Sequence, residues 1–595
     1  MKKTKTQLLT ICLGLSLSIL SGCATGPQET VNEVQTENGN LAQAPVKKAL
    51  NSPAKPFAID SLYDLLVADI ALNRGQFDVA LPIYLEQARK TRDIAIIELA
   101  VRVADYMRGR SLAAKDSAIE MALLWVDVEP QNPAAQEAAM QAYALQDNYL
   151  AALGYATWLY EQQDDLEAFL AITAIPRQPE QIEALIQAYQ QIELSEKKAP
   201  ARFLAAGILY RANNQLAQSE SAAREFLRLS DDEQRGILLL SQLLHQQNRE
   251  QEAVALIADA VKRQPDDSRL RLQYARFLTV SDRALAIEQF EILHIQKPDD
   301  QEINFLLALL LRSQGQLERA IELFTQASAK PSLRADAQYH LGSIADKRGK
   351  SSAAIRHYAQ VRFGRNYLAA VSRLSVLLTQ QSGLNSARQY LQRLRAEQPT
   401  QAVALFQIES NLLISANQPD QALSILSDGL DAFPNDSQLL YARSMVAEQQ
   451  DNFALAEQDL RTLISLDENN ATALNALGYT MILHTDRHQE AYGLIKRAYL
   501  LNPGDPATID SMGWVLFQMG KLPQALEYLE KAMGIMSDPE IAAHLGEVHW
   551  TMGNPEDAFK SWRLGLEQVP GHRSIVETMQ RLGAEEPVSN EIAVP

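Results

Sequence analysis

Small residues recur along this chain at intervals close to 34, flanked by large apolar residues at helical spacing. The marker positions are Ala80, Ala118, Ala152, Ser219, Ala253, Ala286, Ala320, Ala354, Ala387, Ala422, Ala456, Ala491, Ala525 and Ala558. Successive gaps are 33 to 35 residues, except for 38 before Ala118 and 67 before Ser219. The gap of 67 is two periods, which places one degenerate unit near Leu185. Within each period the apolar residues fall three or four apart and predict two helices, each burying one face. Polar or glycine-bearing stretches separate the two, as in Asn73-Arg74-Gly75, Gln246-Gln247-Asn248, Ser313-Gln314-Gly315 and Gln518-Met519-Gly520. Pro265, Pro298, Pro399, Pro434, Pro503 and Pro570 each stand twelve residues after their marker, where a second helix has to end. About fifteen helix pairs are predicted between Leu62 and Pro570. One pair cannot bury its apolar face alone, so neighbours must stack to complete the core.

Three units show the spacing most fully. Gly342, Gly349 and Ala354 are separated by seven and then five residues, and so are Gly513, Gly520 and Ala525, and Gly546, Gly553 and Ala558. This resembles the tetratricopeptide repeat (TPR), and the resemblance covers nearly all of the chain after residue 57. It implies an all-α superhelical solenoid with a long concave groove. Residues 201–570 are expected to form the regular array and 57–200 a set of irregular helical repeats. Residues 160–200 keep the length of a unit but lose its glycines, and Arg110 to Lys115 form an extra stretch. Those departures leave open a separate helical subdomain or a partner site. Residues 571–595 are expected to be a capping helix and tail, with Ser574 and Glu577 at capping-box spacing.

The N-terminus breaks the pattern. Lys2, Lys3 and Lys5 precede an apolar run from Leu8 to Leu20, too short to span a bilayer of about 30 Å and suited to a signal peptide. Leu20-Ser21-Gly22-Cys23 resembles the bacterial lipobox, which implies cleavage of residues 1–22 and lipidation of Cys23. Cys12 lies in the discarded part, so no disulfide is expected. Ala24 rather than Asp follows the cysteine, which in lipoproteins of Gram-negative bacteria implies the outer membrane, here facing the periplasm. Residues 23–56 carry Pro27, Pro45, Pro53 and Pro56 with few large apolar side chains, and are expected to be a disordered tether.

Composition narrows the function by exclusion. The 595 residues carry 55 basic against 73 acidic side chains, a net charge of −18 that becomes −21 once residues 1–22 and their three lysines are removed. A chain so acidic does not suit a nucleic-acid partner. Two cysteines are too few for a zinc ribbon or an iron–sulfur cluster. No phosphate-binding GxxxxGK[ST], GxSxG or HExxH is present, and repeats fill the chain with no room for a catalytic domain. His484 and His488 are four apart, but Thr485 stands where a zinc protease needs glutamate, and both read as solvated turn histidines. His544 and His549, five apart, diverge on a helix. Acid runs such as Asp231-Asp232-Glu233 and Asp299-Asp300 read as helix openings. No enzyme, cofactor or metal is expected.

The groove carries the functional expectation. In the repeat resemblance, three positions on each first helix face inward: three before the small residue, one after it and four after it. These give Asp510, Trp514 and Phe517; Asn475, Tyr479 and Ile482; Ala543, Glu547 and Trp550; Phe305, Leu309 and Arg312; Tyr339, Ser343 and Asp346. Tyr479, Trp514, Phe517 and Trp550 are expected to form one aromatic patch, with Phe305 and Tyr339 further up the array. The other reading buries them against adjacent helices. Anchor, tether and array together resemble the outer-membrane lipoprotein adaptors of carboxyl-terminal processing proteases, most closely those of pseudomonads. The resemblance implies protein partners, a periplasmic serine protease and the cell-wall hydrolases it degrades, brought together by tethering. TPR lipoproteins of envelope assembly, exopolysaccharide export or pilus machines share the layout and are the alternative.

Overall fold

The computed structural model describes residues 58–107, 112–176 and 178–585. Among these, 31 α-helices and two short 3-10 turns account for the secondary structure, with no strand. The signal segment, Cys23, the tether and residues 586–595 lie outside the described residues. No helix among the described residues is long and apolar enough to cross a membrane. The fold is an all-α TPR solenoid. It divides into two compact units, one ending at Gln316 and one beginning at Leu317.

The marker residues sit where the two helices of a pair cross. Of the fourteen, all but Ala118 are fully buried, and Ala118 is 8% exposed. Between the helices the chain must reverse in two or three residues, which calls for a left-handed backbone. Gly520 supplies it at φ 75°, and Asn248 and Asn417 occupy the same phase at φ 62° and 58°. The acid runs do open helices: Asp232 accepts from the Arg235 N–H, and Asp300 from the N–H groups of Glu302 and Ile303.

In the first unit the pairs run in order: Ile59–Asn73 with Phe77–Thr91, Ile94–Met107 with Leu112–Val128, and Pro133–Ala144 with Tyr149–Gln163. After Gln163 the pairing changes. Leu166–Ala171 is a six-residue helix running into a 3-10 turn, and it packs on Tyr149–Gln163. Pro179–Gln191 packs instead on Ala201–Ala212, where regular pairing resumes. A lysine stitches the break: Lys198 Nζ donates to the carbonyls of Tyr160 at 2.6 Å and Glu161 at 3.0 Å and pairs with Asp164.

A recurring device satisfies the carbonyls left beyond the second helices. The Pro130 carbonyl accepts from Gln136, the Pro265 carbonyl from Arg271 and the Pro298 carbonyl from Asn304, each six residues on. Buried backbone groups without such partners would be costly.

The second unit continues with the same pairing to Pro555–Gln568 and ends on the helix Arg573–Leu582. That helix buries Ile575 and exposes Arg573, Glu577, Gln580 and Arg581. The capping box expected at Ser574 does not form. His572 holds the N-cap position, Ser574 Oγ donates across to Glu540, and Glu577 pairs with Arg573. Glu540 sits one period before Ser574 and accepts the hydroxyl at 2.9 Å, so the side chain serves the stacking of units rather than its own helix end.

Candidate functional site

The first helices Ala471–His484, Pro506–Gln518 and Pro539–Thr551 lie side by side in the second unit. Residues one period apart on them therefore meet. His544 Nδ1 lies 3.0 Å from both carboxylate oxygens of Asp510, thirty-four positions earlier. Glu547 accepts from Arg581 across the same interval. Trp514 stacks on the His544 ring at 4.1 Å and 18°, and on Phe517 at 4.9 Å and 19°. The Tyr479 ring is 6.3 Å from His544. The result is one aromatic face crossing three first helices, with an ion pair set into it.

Asp510, Trp514, His544 and Glu547 are each less than a tenth exposed, while Tyr479 and Phe517 are half-buried. Burial alone pushes the His544 pKa down, but Asp510 in contact, with Glu540 and Glu547 nearby, reverses this and leaves it above its ordinary value. Burial, with Asp510, Glu540 and Glu448 around it, holds the Tyr479 hydroxyl well above the usual phenol range. Trp514 Nε1 and Asn475 Oδ1 are buried without a hydrogen-bond partner. An acid, an imidazole and stacked rings thus lie together across these helices.

The structure sorts the six aromatic candidates. Trp514 stacks on Phe517 and His544, and the Tyr479 ring lies 6.3 Å from His544. Trp550 packs elsewhere: partly buried, its ring lies against Phe559 at 5.7 Å and Trp562 at 5.9 Å, at the edge of the core that includes Ile575 of the closing helix. The cause is local, since the second helix of that unit carries two large rings that fill its own crossing. Phe305 and Trp514 are both buried, at 5% and 7% exposed, so of the rings on this face Tyr479 and Phe517 are the ones that reach solvent. Tyr339 is half-buried against His340 and Tyr358. Cys23 lies outside the described residues.

The histidines in the turn are also different from their sequence reading. His484 ends a helix, stacks on Phe453 at 3.5 Å and meets Glu448 at 3.2 Å, so it is partly buried rather than solvated. His488 Nδ1 is buried without a partner. Among the described residues no group of three or more His, Cys, Asp or Glu is placed to hold a metal ion. The Asp510–His544 pair is the feature that spacing within one helix misses. Its signal is an acid and a base thirty-four positions apart on successive first helices.

The TPR family model matches residues 204–268, 276–333, 305–366 and 409–471. The chain is 38% identical over 512 residues to the TPR repeat-containing protein PA4667 of Pseudomonas aeruginosa, a match covering 84% of this chain and 85% of that one. Over 132 residues it is 27% identical to the type IV pilus assembly protein PilF of the same organism, covering 22% of this chain and 52% of PilF. Among solved structures, a tetratricopeptide repeat protein from Parabacteroides merdae aligns with a TM-score of 0.33 at 16% identity, over 42% of this chain and 98% of that one. The Cut9–Hcn1 assembly of APC/C aligns with a TM-score of 0.32 at 15% identity, over 88% and 96%.

Proposed function

Because the chain belongs to the tetratricopeptide-repeat proteins, which mediate protein–protein interactions and are typically non-enzymatic scaffolds, we propose that it is an adaptor holding partner proteins against its first helices. The observation that carries this reading is the continuous face of Tyr479, Trp514, Phe517 and His544 across three consecutive units. Stacked aromatic rings with a buried charge pair suit a partner segment that brings apolar and basic side chains.

At finer grain, the adaptor is lipid-anchored through Cys23 at the outer membrane and faces the periplasm. It binds a carboxyl-terminal processing serine protease and presents cell-wall hydrolases to it. The lipobox, the proline-bearing tether and the long array support this reading. Holding both proteins on one body raises their effective concentration without new chemistry. The match to PilF over 132 residues favours a second reading, a structural lipoprotein of an envelope assembly such as a pilus machine.

Crosslinking in cells, purification and identification of what is bound separates the two. Recovery of a periplasmic serine protease together with hydrolases supports the adaptor; recovery of assembly components alone overturns it. In the same experiment Trp514→Ala is expected to reduce recovery of the partner with helicity intact, and unchanged recovery removes the aromatic face from the mechanism.

A further inference from the structure

The first helix among the described residues, Ile59–Asn73, is apolar on two opposite faces. Ser61, Ala68 and Ala71 are buried, with Leu65 and Leu72 packed beside them toward Phe77–Thr91. On the other side Ile59, Leu62, Tyr63, Leu66 and Ile70 are 86, 61, 68, 58 and 43% exposed. Their spacing makes one stripe, about 16 Å long at 1.5 Å per residue. The end unit of a repeat array needs a polar outer face. The C-terminal closing helix has one, with Arg573, Glu577, Gln580 and Arg581 turned outward. The first helix among the described residues has a continuous apolar patch instead, which marks an interaction site.

The charges choose the occupant. The helix carries Asp60, Asp64 and Asp69 and no lysine or arginine. At 100° per residue Asp60 and Asp69 fall on the two flanks of the stripe. Asp78 on the next helix is exposed beside Val79, itself 49% exposed. A second copy of this helix would set aspartates against aspartates along the stripe. An anionic lipid surface would be repelled by the same acids.

We propose that this stripe docks an amphipathic helix of a partner protein, one with apolar residues three and four apart and lysine or arginine on its flanks. The partner helix lies along Ile59–Asn73 in the place a preceding helix takes elsewhere in the array, its basic flanks against Asp60 and against Asp69, whose carboxylate also accepts the Tyr84 hydroxyl. The inference rests on the scaffold reading only for the partner being a protein.

The test uses purified full-length protein and two fluorescent peptides of roughly twenty residues, both with leucines at helical spacing, one flanked by lysines and the other by glutamates. The lysine peptide is expected to bind saturably, and the glutamate peptide at least about tenfold more weakly. Leu62→Asp with Leu66→Asp, at exposed positions, is expected to weaken the lysine peptide about tenfold at unchanged circular dichroism, although the chain becomes more acidic. Lysine-peptide binding that survives the double substitution is diffuse attraction to an acidic chain and overturns the proposal. Equal binding of the two peptides overturns it as well. Sedimentation that shows a dimer lost in the double variant assigns the stripe to a second copy. Co-sedimentation with phosphatidylglycerol vesicles, lost in the same variant, assigns it to lipid. Either result sinks the partner helix. Partners that still crosslink while the peptides fail leave the scaffold reading in place and remove this surface alone.

Discussion

Gly546 and Gly493 invite the same substitution with opposite results. Both are interior helix glycines, and alanine is worth about 1 kcal/mol more than glycine in that setting. Around Gly493 nothing lies within 4 Å of where a Cβ would be, so Gly493→Ala should keep most of that gain. A Cβ at Gly546 would stand 2.1 Å from Trp562 Nε1 and 2.5 Å from its Cδ1. Trp562 is fully buried, and its ring is held edge-on by Phe559 at 5.6 Å, so it has no free direction to move. Overpacking of this kind costs about 1–3 kcal/mol, and a contact this short belongs at the upper end. Set against the helix gain, Gly546→Ala should be destabilising by about 2 kcal/mol. Amide hydrogen exchange reads this unit by unit, where a single unfolding transition of a repeat array does not. Exchange across Pro539–Gln568 is expected to quicken about 30-fold in Gly546→Ala. Exchange across His488–Leu501 should slow by about 2- to 5-fold in Gly493→Ala. Trp562→Leu added to Gly546→Ala should show a coupling above about 1 kcal/mol, because the clash disappears with the indole. If Gly546→Ala leaves exchange unchanged or slows it, the helix crossing is looser than the structure has it and the steric reading of the small-residue positions fails.

Two further outcomes follow from buried charges. The His544 pKa is raised in the folded chain, so its contribution to stability is complete below the ordinary histidine value of about 6.5 and is lost as pH rises through the raised value. Stability followed by tryptophan fluorescence should therefore fall as pH rises through the raised value, and Asp510→Asn should weaken this dependence; a flat profile in the native chain refutes the ion pair. Asp459 is 1% exposed and takes two 2.8 Å bonds from Arg443, so Arg443→Ala strands a buried carboxylate and should cost about 3–5 kcal/mol. Removing both partners with Arg443→Met and Asp459→Leu should be close to neutral, as hydrogen exchange over Ser437–Leu466 would show.

The sequence and the structure agree most closely where sterics act within one unit. A residue at a helix crossing has no freedom in size, so Ala253, Ala320 and Ala525 declare the fold directly and each is fully buried. The turns are legible for the same reason, because only glycine, asparagine or aspartate enters a left-handed backbone cheaply. What the sequence conceals is the identity of neighbours across units. Trp514 and Trp550 occupy inward positions in successive first helices, yet one stacks on a histidine of the next unit and the other joins the rings of its own second helix. His544 reads as solitary until a partner one period away is placed beside it. Ser574 reads as a helix cap because its local spacing allows one, while Glu540 on the neighbouring first helix offers a better acceptor.

The break at Leu166–Ala171 has a mechanical consequence. In this architecture each helix leans mainly on the ones before and after it, so a pull between the two ends passes through every junction in series. The strength of the whole is then that of its weakest junction. A six-residue helix, a 3-10 turn and a loop stitched by Lys198 offer less resistance than two full helices in contact. Under load the chain should yield there first, letting out slack from the N-terminal end while the units that carry the aromatic face stay folded.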